Sequence, residues 1–519
     1  MAARLRSVNP WPGALTAAAL AVAVLGTLAA VAWAAGGLSG LRPGDWAAVR
    51  FTLWQAALSA AISVVLAVPV ARALARRRFV GRGLLVTLLG APFILPVIVA
   101  IMGLIAVFGR NGMVNSALAV LGLPGLTIYG AQGVILAHVF FNLPLAVRLI
   151  LHGWQAIPAE RLRLAASLGF RPADSLRHLE LPMLRATLPG VWLAIFLVCL
   201  TSFTVALALG GGPRASTIEL AIYQAFRFDF DMGRAATLGL IQVALSLVAL
   251  AISARVTIPA GFGAGLDRAL TPGLIAPRGW RLAADGLVIT AAAGFLLAPL
   301  AMVFARGLPR LTSLPAPVWE STWRSVWMAL TSAGVTLVLA LILALALAQG
   351  RRRWIEAAGM LPLVASPLVL GTGLFLILRP VAAPATLALP VTVGVNAIMA
   401  LPFALRTLIP AARALMADYG RLADSLNLTG LARLRLLVLP RLARPLGFAG
   451  GLSAALAMGD LGVIALFSNP DQATLPLRMY QLMNGYRMAD AAGAAVVLVC
   501  LAFALFWAFD RGGRLANGA

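Results

Sequence analysis

Apolar positions in this chain neither alternate nor mark out one helical face; they run unbroken. Stretch after stretch of about 20 residues carries no charge, enough for a helix to cross a hydrocarbon layer about 30 Å thick. Twelve such stretches predict membrane-spanning helices. The first six fall near 14–35, 51–75, 84–108, 131–151, 184–209 and 235–254. The second six fall near 284–305, 322–348, 356–378, 388–408, 444–467 and 491–509. Backbone groups in lipid need partners within their own segment, so helices are the expected spanning element, and the period-two pattern of a membrane barrel is absent. The fold class is therefore an all-α polytopic membrane protein with about 12 transmembrane helices.

The polar punctuation gives orientation. Arg76, Arg77, Arg78 and Arg82 follow the second stretch, Arg161, Arg163, Arg171 and Arg177 the fourth, and Arg255, Arg268, Arg278 and Arg281 the sixth. The later even-numbered loops hold Arg351, Arg352 and Arg353, then Arg413, Arg421, Arg433 and Arg435, and the tail adds Arg511 and Arg514. The odd-numbered loops carry fewer, such as Arg42, Arg110, Arg214 and Arg379. Basic loops stay on the cytoplasmic side, so both termini are expected there. The stretch 14–35, although preceded by Arg4 and Arg6, is long for a signal-peptide core and reads as the first retained span.

An internal repeat divides the chain. His138 through Arg148, with Asn142, Leu143-Pro144 and Ala146, recurs 258 residues later as Asn396 through Arg406, with Leu401-Pro402 and Ala404. The same offset pairs Arg163-Leu-Ala165-Ala166-Ser-Leu with Arg421-Leu-Ala423-Asp-Ser425-Leu, and Leu181-Pro182 with Leu439-Pro440. Tyr223-Gln224 meets Tyr480-Gln481 after the loss of one residue. Upstream, Trp54 and Ser59-Ala60 meet Trp327 and Ser332-Ala333 at an offset of 273, so the first half is 15 residues longer between the anchors; outer loops around 109–130 and 379–388 are expected to hold the difference. The expected division is a first half over 1–260 with its core at about 47–255, a cytoplasmic linker over 261–282 rich in Gly, Pro and Arg, and a second half over 283–519 with its core at about 318–510. An even number of spans per half makes the copies parallel, which implies a pseudo-two-fold axis along the membrane normal and a pathway between the halves.

Composition adds exclusions. Of 519 residues, 61% are hydrophobic and 11% charged, too few charges to cover a soluble surface of this size. The net charge of +24 invites a nucleic-acid reading, but the arginines sit in short clusters between apolar runs, as the orientation rule requires, so no nucleic-acid partner is expected; the surrounding partner is membrane lipid. Cys199 and Cys500 lie in apolar spans and read as buried thiols, not a disulfide. His138, His152 and His178 form no ligand spacing, so no metal is expected. There is no lysine, hence no phosphate loop of the Gly-x-x-x-x-Gly-Lys type, and Gly210 to Pro213 reads as a helix terminator. No nucleophile–base set appears; catalytic residues and cofactors are not expected, and any ATPase must be another chain.

The loop after the fourth span of each half carries a pattern of its own. In the first half it holds Arg163, Ala165, Ala166 and Gly169, then nine residues, Leu179, one residue and Leu181-Pro182. In the second it holds Arg421, Ala423, Ser425 and Asn427, then Leu439-Pro440. This resembles the signature segment of type I binding-protein-dependent ABC importer permeases. Small residues let a helix lie close to a partner's groove, Gly169 permits a tight C-terminal turn, and Asn427 is the best non-Gly substitute for it. The Leu-Pro is expected to end the segment and start the next span. The resemblance implies a coupling helix docked on an ATPase subunit. Arg163 and Arg421 depart from the family's usual glutamate, and Asn427 from its glycine.

Further strings extend the resemblance almost end to end to the fused permeases of bacterial thiamine and thiamine pyrophosphate importers: Gln132 to Pro144, Leu209 to Pro213, Thr217 to Gln224 and Gly459 to Phe467. That family implies two tandem transmembrane domains, two ATP-binding cassette ATPase subunits and a periplasmic thiamine-binding protein, in the bacterial inner membrane. Ferric-iron importers, also fused, are the alternative substrate class; an ion-coupled secondary transporter is the alternative mechanism, and the twice-placed signature argues against it. Candidate pathway residues are Asp460, its repeat mate Ser202, and His138 and Asn142 one turn apart in the fourth span. Asp460 reads equally as a structural partner, and the His138–Asn142 pair as an interhelical hydrogen bond. Arg227, Asp229, Asp231 and Arg234 read as solvated charges, with reception of a binding protein as the other reading.

Overall fold

The computed structural model describes residues 11–36, 40–89, 94–210, 212, 215–255, 279–350, 352–467 and 472–518. The linker expected over 261–282 falls largely outside them. The first half builds α1 (Trp11–Ala34), α2 (Pro43–Arg76), α3 (Arg82–Leu88), α4 (Val97–Phe108), α5 (Met113–Val120), α6 (Ala131–Gln155), α7 (Ala159–Ser167), α8 (Pro172–Ser175), α9 (Leu181–Leu200), α10 (Thr204–Leu209), α11 (Ile218–Arg227) and α12 (Met232–Ala254). The second half builds α13 (Trp280–Gly307), α14 (Ala316–Ala348), α15 (Arg353–Met360), α16 (Pro367–Leu378), α17 (Pro384–Ser425), α18 (Gly430–Arg433), α19 (Leu439–Met458), α20 (Gly462–Phe467), α21 (Leu475–Asn484) and α22 (Met488–Gly518). Among the described residues there is no strand. Eleven helical stretches of the described residues are long and apolar enough to cross a membrane, twelve if one bent pair counts as a single span. Val22, Leu25, Val65, Leu66, Leu247, Val248, Leu287, Val335 and Val338 face outward from the long helices, an apolar girdle suited to lipid. The chain is a multi-pass membrane protein.

Several expected spans are not single rods. The stretch 84–108 divides into α3 and α4, and 356–378 into α15 and α16, where Arg353–Leu363 meets Pro367–Leu378 at 97°. Pro96 stands just before α4 and Pro367 begins α16, and the residue before a proline avoids helical geometry. The stretch 184–209 divides into α9 and α10 around Ser202, and 444–467 into α19 and α20 around Asp460. At the second break Asp460 turns its Oδ1 back to accept the Gly462 N–H at 3.1 Å, an Asx turn that competes with the helix. The helices α4 and α16 align at an offset of 270, so three of the 15 extra residues are already used before α4; the other twelve fall in the stretch between α4 and α6 that holds α5.

The expectation that Leu181-Pro182 starts a span is corrected. Helix is already running from Pro172, and a π turn over Leu176–Glu180 feeds into α9; the mate turn Leu434–Val438 feeds into α19. A proline inside a helix clashes with the carbonyl four residues back, and the wider turn relieves that clash.

The halves interlock. The helices α2, α6 and α9 pack together in the first half, and α14, α17 and α19 in the second. Each first span reaches into the other half while staying in touch with its own: α1 packs against α14, α15 and α16 as well as α12, and α13 packs against α2 and α4 as well as α22. Two glycines permit both crossings. A side-chain carbon at Gly103 would sit 2.6 Å from the Pro299 carbonyl oxygen, and one at Gly373 would collide with the Thr27 carbonyl oxygen. Close backbone approach at small residues is how helices associate where burial of apolar surface gives no driving force.

Candidate functional site

Two regions stand out, one at the arginine-rich end of the bundle and one where the broken helices meet. At the arginine-rich end, α7 closes with Gly169 at φ +66°; the Gly169 N–H donates to the Ala166 carbonyl at 3.1 Å and the Phe170 N–H to the Ala165 carbonyl at 3.0 Å. In the second half Asn427 takes φ +53°, with Asn427 and Leu428 donating to the carbonyls of Asp424 and Ala423 at 3.2 and 2.9 Å. The two turns are the same left-handed cap, made once by glycine and once by the residue that best tolerates that geometry.

Side-chain directions revise the docking argument. Ala165 and Ala423 are buried within the chain instead of being offered to a partner, because they lie on the inward side of their helices. Outward, together with Arg163 and Arg421, point Leu164 (59% exposed), Leu168 (64%), Leu422 (54%) and Leu426 (61%). These leucines form an i, i+4 pair in each half. Ser167 and Ser425 each return a hydroxyl to the carbonyl three residues back, at 2.8 Å. Pro182 and Pro440 are exposed beside the π turns. The leucines lie within the repeat strings, but only burial separates them from the inward alanines.

The attachments of the two segments differ. Glu180, buried, accepts from Arg72 Nε at 2.7 Å and pairs closely with Arg76 Nη2, tying the first segment to the end of α2. Arg77 beside them pairs with Asp285 of α13 at 2.6 Å. The second segment has Val438 where Glu180 stands, and is tied within itself by Arg433 to Asp424 at 3.0 Å. Pro158 separates α6 from α7, whereas its mate Met416 lets α17 run unbroken for 42 residues.

At the second region all four helix breaks converge. The Cβ direction of Gly459 points to Pro96 Cα at 3.2 Å, and that of Gly462 to Asp460 Oδ1 (3.6 Å), Phe203 Cδ1 (3.9 Å) and Pro367 Cβ (3.9 Å). Ser202 and Asp460, the repeat mates singled out in sequence, are thus half-buried at equivalent breaks beside the contact between halves. Asp460 also faces Asn396. Asn396 is the repeat mate of His138, so each half places a polar fourth-span residue and a polar break residue in equivalent positions. His138 is buried with neither ring nitrogen hydrogen-bonded, and Asn142 Nδ2 donates to the His138 carbonyl at 2.8 Å and to Cys199 Sγ of α9 at 3.3 Å.

Sequence patterning missed two short buried helices. The α11 amide of Ile218 donates to Thr52 Oγ1 at 2.9 Å, and the α21 amide of Leu475 to Ser325 Oγ at 2.7 Å, mates in both members. The first carries Glu219 and Tyr223 against α16 and α20 of the other half. The charges beyond α11 are not simply solvated. Asp229 pairs with Arg42 and Arg234, Asp231 caps α12, and Arg234 reaches the buried Asp45 at 2.6 Å, clasping together the starts of α2 and α12.

Two interlocked helical halves, with a duplicated exposed segment at one end and broken helices meeting at their junction, define a membrane permease of the ABC importer class. No family model matches the chain. It is 40% identical to the thiamine transport system permease protein ThiP of Salmonella typhimurium over 486 residues, 90% of this chain and 89% of that one. It is 39% identical to the ThiP of Brucella abortus over 521 residues, 97% of this chain and 95% of its relative. The molybdenum transport system permease protein ModB of Azotobacter vinelandii is 29% identical over 178 residues, 34% of this chain and 78% of that protein. The chain belongs to the thiamine transport system permease family.

Proposed function

We propose that this chain is the membrane-spanning subunit of an ATP-driven importer that carries thiamine and thiamine pyrophosphate from periplasm to cytoplasm across the inner membrane. Both termini lie in the cytoplasm. A periplasmic binding protein delivers the solute, and two separate ATPase subunits dock on 163–182 and 421–440, one on each half, so that one chain suffices per complex. The observation that carries this reading is the duplicated segment with one cap geometry and one outward pattern of arginine and leucine, in a chain alike along nearly its whole length to thiamine permeases. Leu164, Leu168, Leu422 and Leu426 are the apolar anchors, and Arg163 and Arg421 the flanking charges.

ATPase closure draws the two segments together. Because α8 continues through the π turn into α9, and α18 into α19, this displacement is delivered to the helix breaks at Ser202 and Asp460. His138, Asn142, Ser202 and Asp460 border the solute's route. A carboxylate in these low-dielectric surroundings favours a cationic solute, and thiamine carries a thiazolium.

The test is reconstitution of the chain with its ATPase and binding protein in proteoliposomes. Uptake of labelled thiamine that requires ATP and both partners is expected. Uptake driven by a proton or sodium gradient without ATP would overturn the reading.

A further inference from the structure

We infer that Phe203, Glu219, Tyr223, Ser366, Asn396 and Asp460 form a binding subsite for an aromatic organic cation at the junction of the two halves. The inference rests on the proposed importer reading for its choice of solute, but the site itself is drawn from geometry.

Glu219 is 0% exposed, and neither carboxyl oxygen has a hydrogen bond of good geometry; it faces the Ser366 hydroxyl at the break before α16. Asp460 Oδ2 is likewise buried without a hydrogen bond. Among the described ion pairs neither carboxylate takes part. Burying a carboxylate without a cation is costly, and such groups inside membrane proteins mark solute pathways.

The six residues are joined by contacts. Tyr223 lies one turn beyond Glu219 on α11, and its ring stands 5.3 Å from that of Phe203 at 60°. Phe203 and the Asp460 carboxylate both approach the space beside Gly462, and so does Pro367, the neighbour of Ser366. The sequence of contacts therefore returns from Asp460 to Glu219. Two carboxylates flanking two aromatic rings are the chemistry that holds a flat, positively charged heterocycle, by charge and by cation–π contact.

The repeat sharpens the assignment. The mate of Glu219 is Pro476 and the mate of Asp460 is Ser202, so each half contributes one carboxylate and neither is duplicated. The contacts that set helix against helix recur in both halves, as Thr52 with Ser325 and Gly103 with Gly373 do, whereas the ion pairs of Glu180 and Asp424, like Glu219 and Asp460, are each found once. An asymmetric ligand on a pseudo-two-fold axis has no such requirement. The competing assignment is structural: Glu219 sits at the N-terminus of α16, whose dipole favours a negative charge and could hold the halves together without any solute.

Thiol labelling of Ser366→Cys in the complete complex separates the two. The rate is read above the background of Cys199 and Cys500 in the unsubstituted chain. A cationic methanethiosulfonate is expected to react at least about tenfold faster than an anionic one, thiamine is expected to slow it, and Glu219→Gln is expected to remove most of the preference. Equal rates for both reagents, untouched by thiamine and by Glu219→Gln, would overturn the subsite. As a second reading, Glu219→Gln is expected to lower thiamine import at least about tenfold while Glu219→Asp retains more, in complexes recovered at normal yield. Import by Glu219→Gln at the unsubstituted rate and concentration dependence would also overturn it. If the unsubstituted complex imports no thiamine yet the cationic preference at position 366 persists, the importer reading fails and the cation subsite stands.

Discussion

The two proposed docking segments have one backbone design and two mechanical attachments. Both end in a left-handed cap, at Gly169 and Asn427, and both pass through a π turn into the next span. The first, however, is cut from its preceding helix by Pro158 and fastened to α2 by Arg72, Arg76 and Glu180. The second is the rigid end of α17, where Arg433 pairs with Asp424 and reaches Met416 Sδ. The outward pattern of arginine and leucine is thus alike in the two segments, and the internal linkage differs. The first segment is thus linked to α2, whose Arg77 pairs with Asp285 of α13 in the other half; the second is continuous with α17.

The largest effect expected from breaking this comparison is at Glu180. Glu180→Gln leaves Arg76 buried without its counter-charge, a loss of about 3–5 kcal/mol. Asp424→Asn, at a more exposed pair, is expected to cost about 1 kcal/mol. Melting of the two variants in detergent compares them; equal losses would mean the attachments are equivalent. Next come the interlocking contacts. Gly103→Ala and Gly373→Ala are each expected to cost about 1–3 kcal/mol, and by similar amounts, because both crossings are backbone to backbone. A loss at only one would show that the halves interlock unequally. Leu168→Asp and Leu426→Asp are then expected to weaken ATPase capture by about 1–2 kcal/mol, roughly tenfold in Kd, and again alike. Pull-down titration reads this, and an effect at neither site would remove the docking role. The smallest change in stability, within about 1 kcal/mol, is expected for Pro158→Met, which joins α6 to α7. Its consequence is mechanical: ATP hydrolysed per solute imported rises if the first segment needs its hinge, and stays constant if it does not.

Much of this was legible in sequence. Hydropathy marks the spans, and the offset of 258 marks both proposed docking segments and the His138/Asn396 and Ser202/Asp460 mates. The breaks were not legible, because a hydropathy sum over 84–108 or 444–467 is indifferent to a bend; Pro96, Pro367 and the Gly459-Asp460 pair carried that signal, and prolines such as Pro144 and Pro402 pass through α6 and α17 without breaking them. The helix α11 was missed because ten residues are too few for a span, although its string was already conspicuous. Residue type alone places Ala165 and Ala423 against a partner, because it cannot say which side of a helix is covered; both are buried within the chain. The clasp of Asp45, Asp229 and Arg234 joins residues nearly 190 positions apart, beyond any local pattern.

The most direct test of two working segments is disulfide trapping in the assembled complex, with a cysteine at position 168 or 426 facing one on the ATPase. The account predicts that each position captures an ATPase subunit, that a chain carrying both captures two, and that trapping at either one halts ATP-dependent uptake until the bond is reduced. Capture at one position only, or uptake that continues while both are trapped, would contradict it.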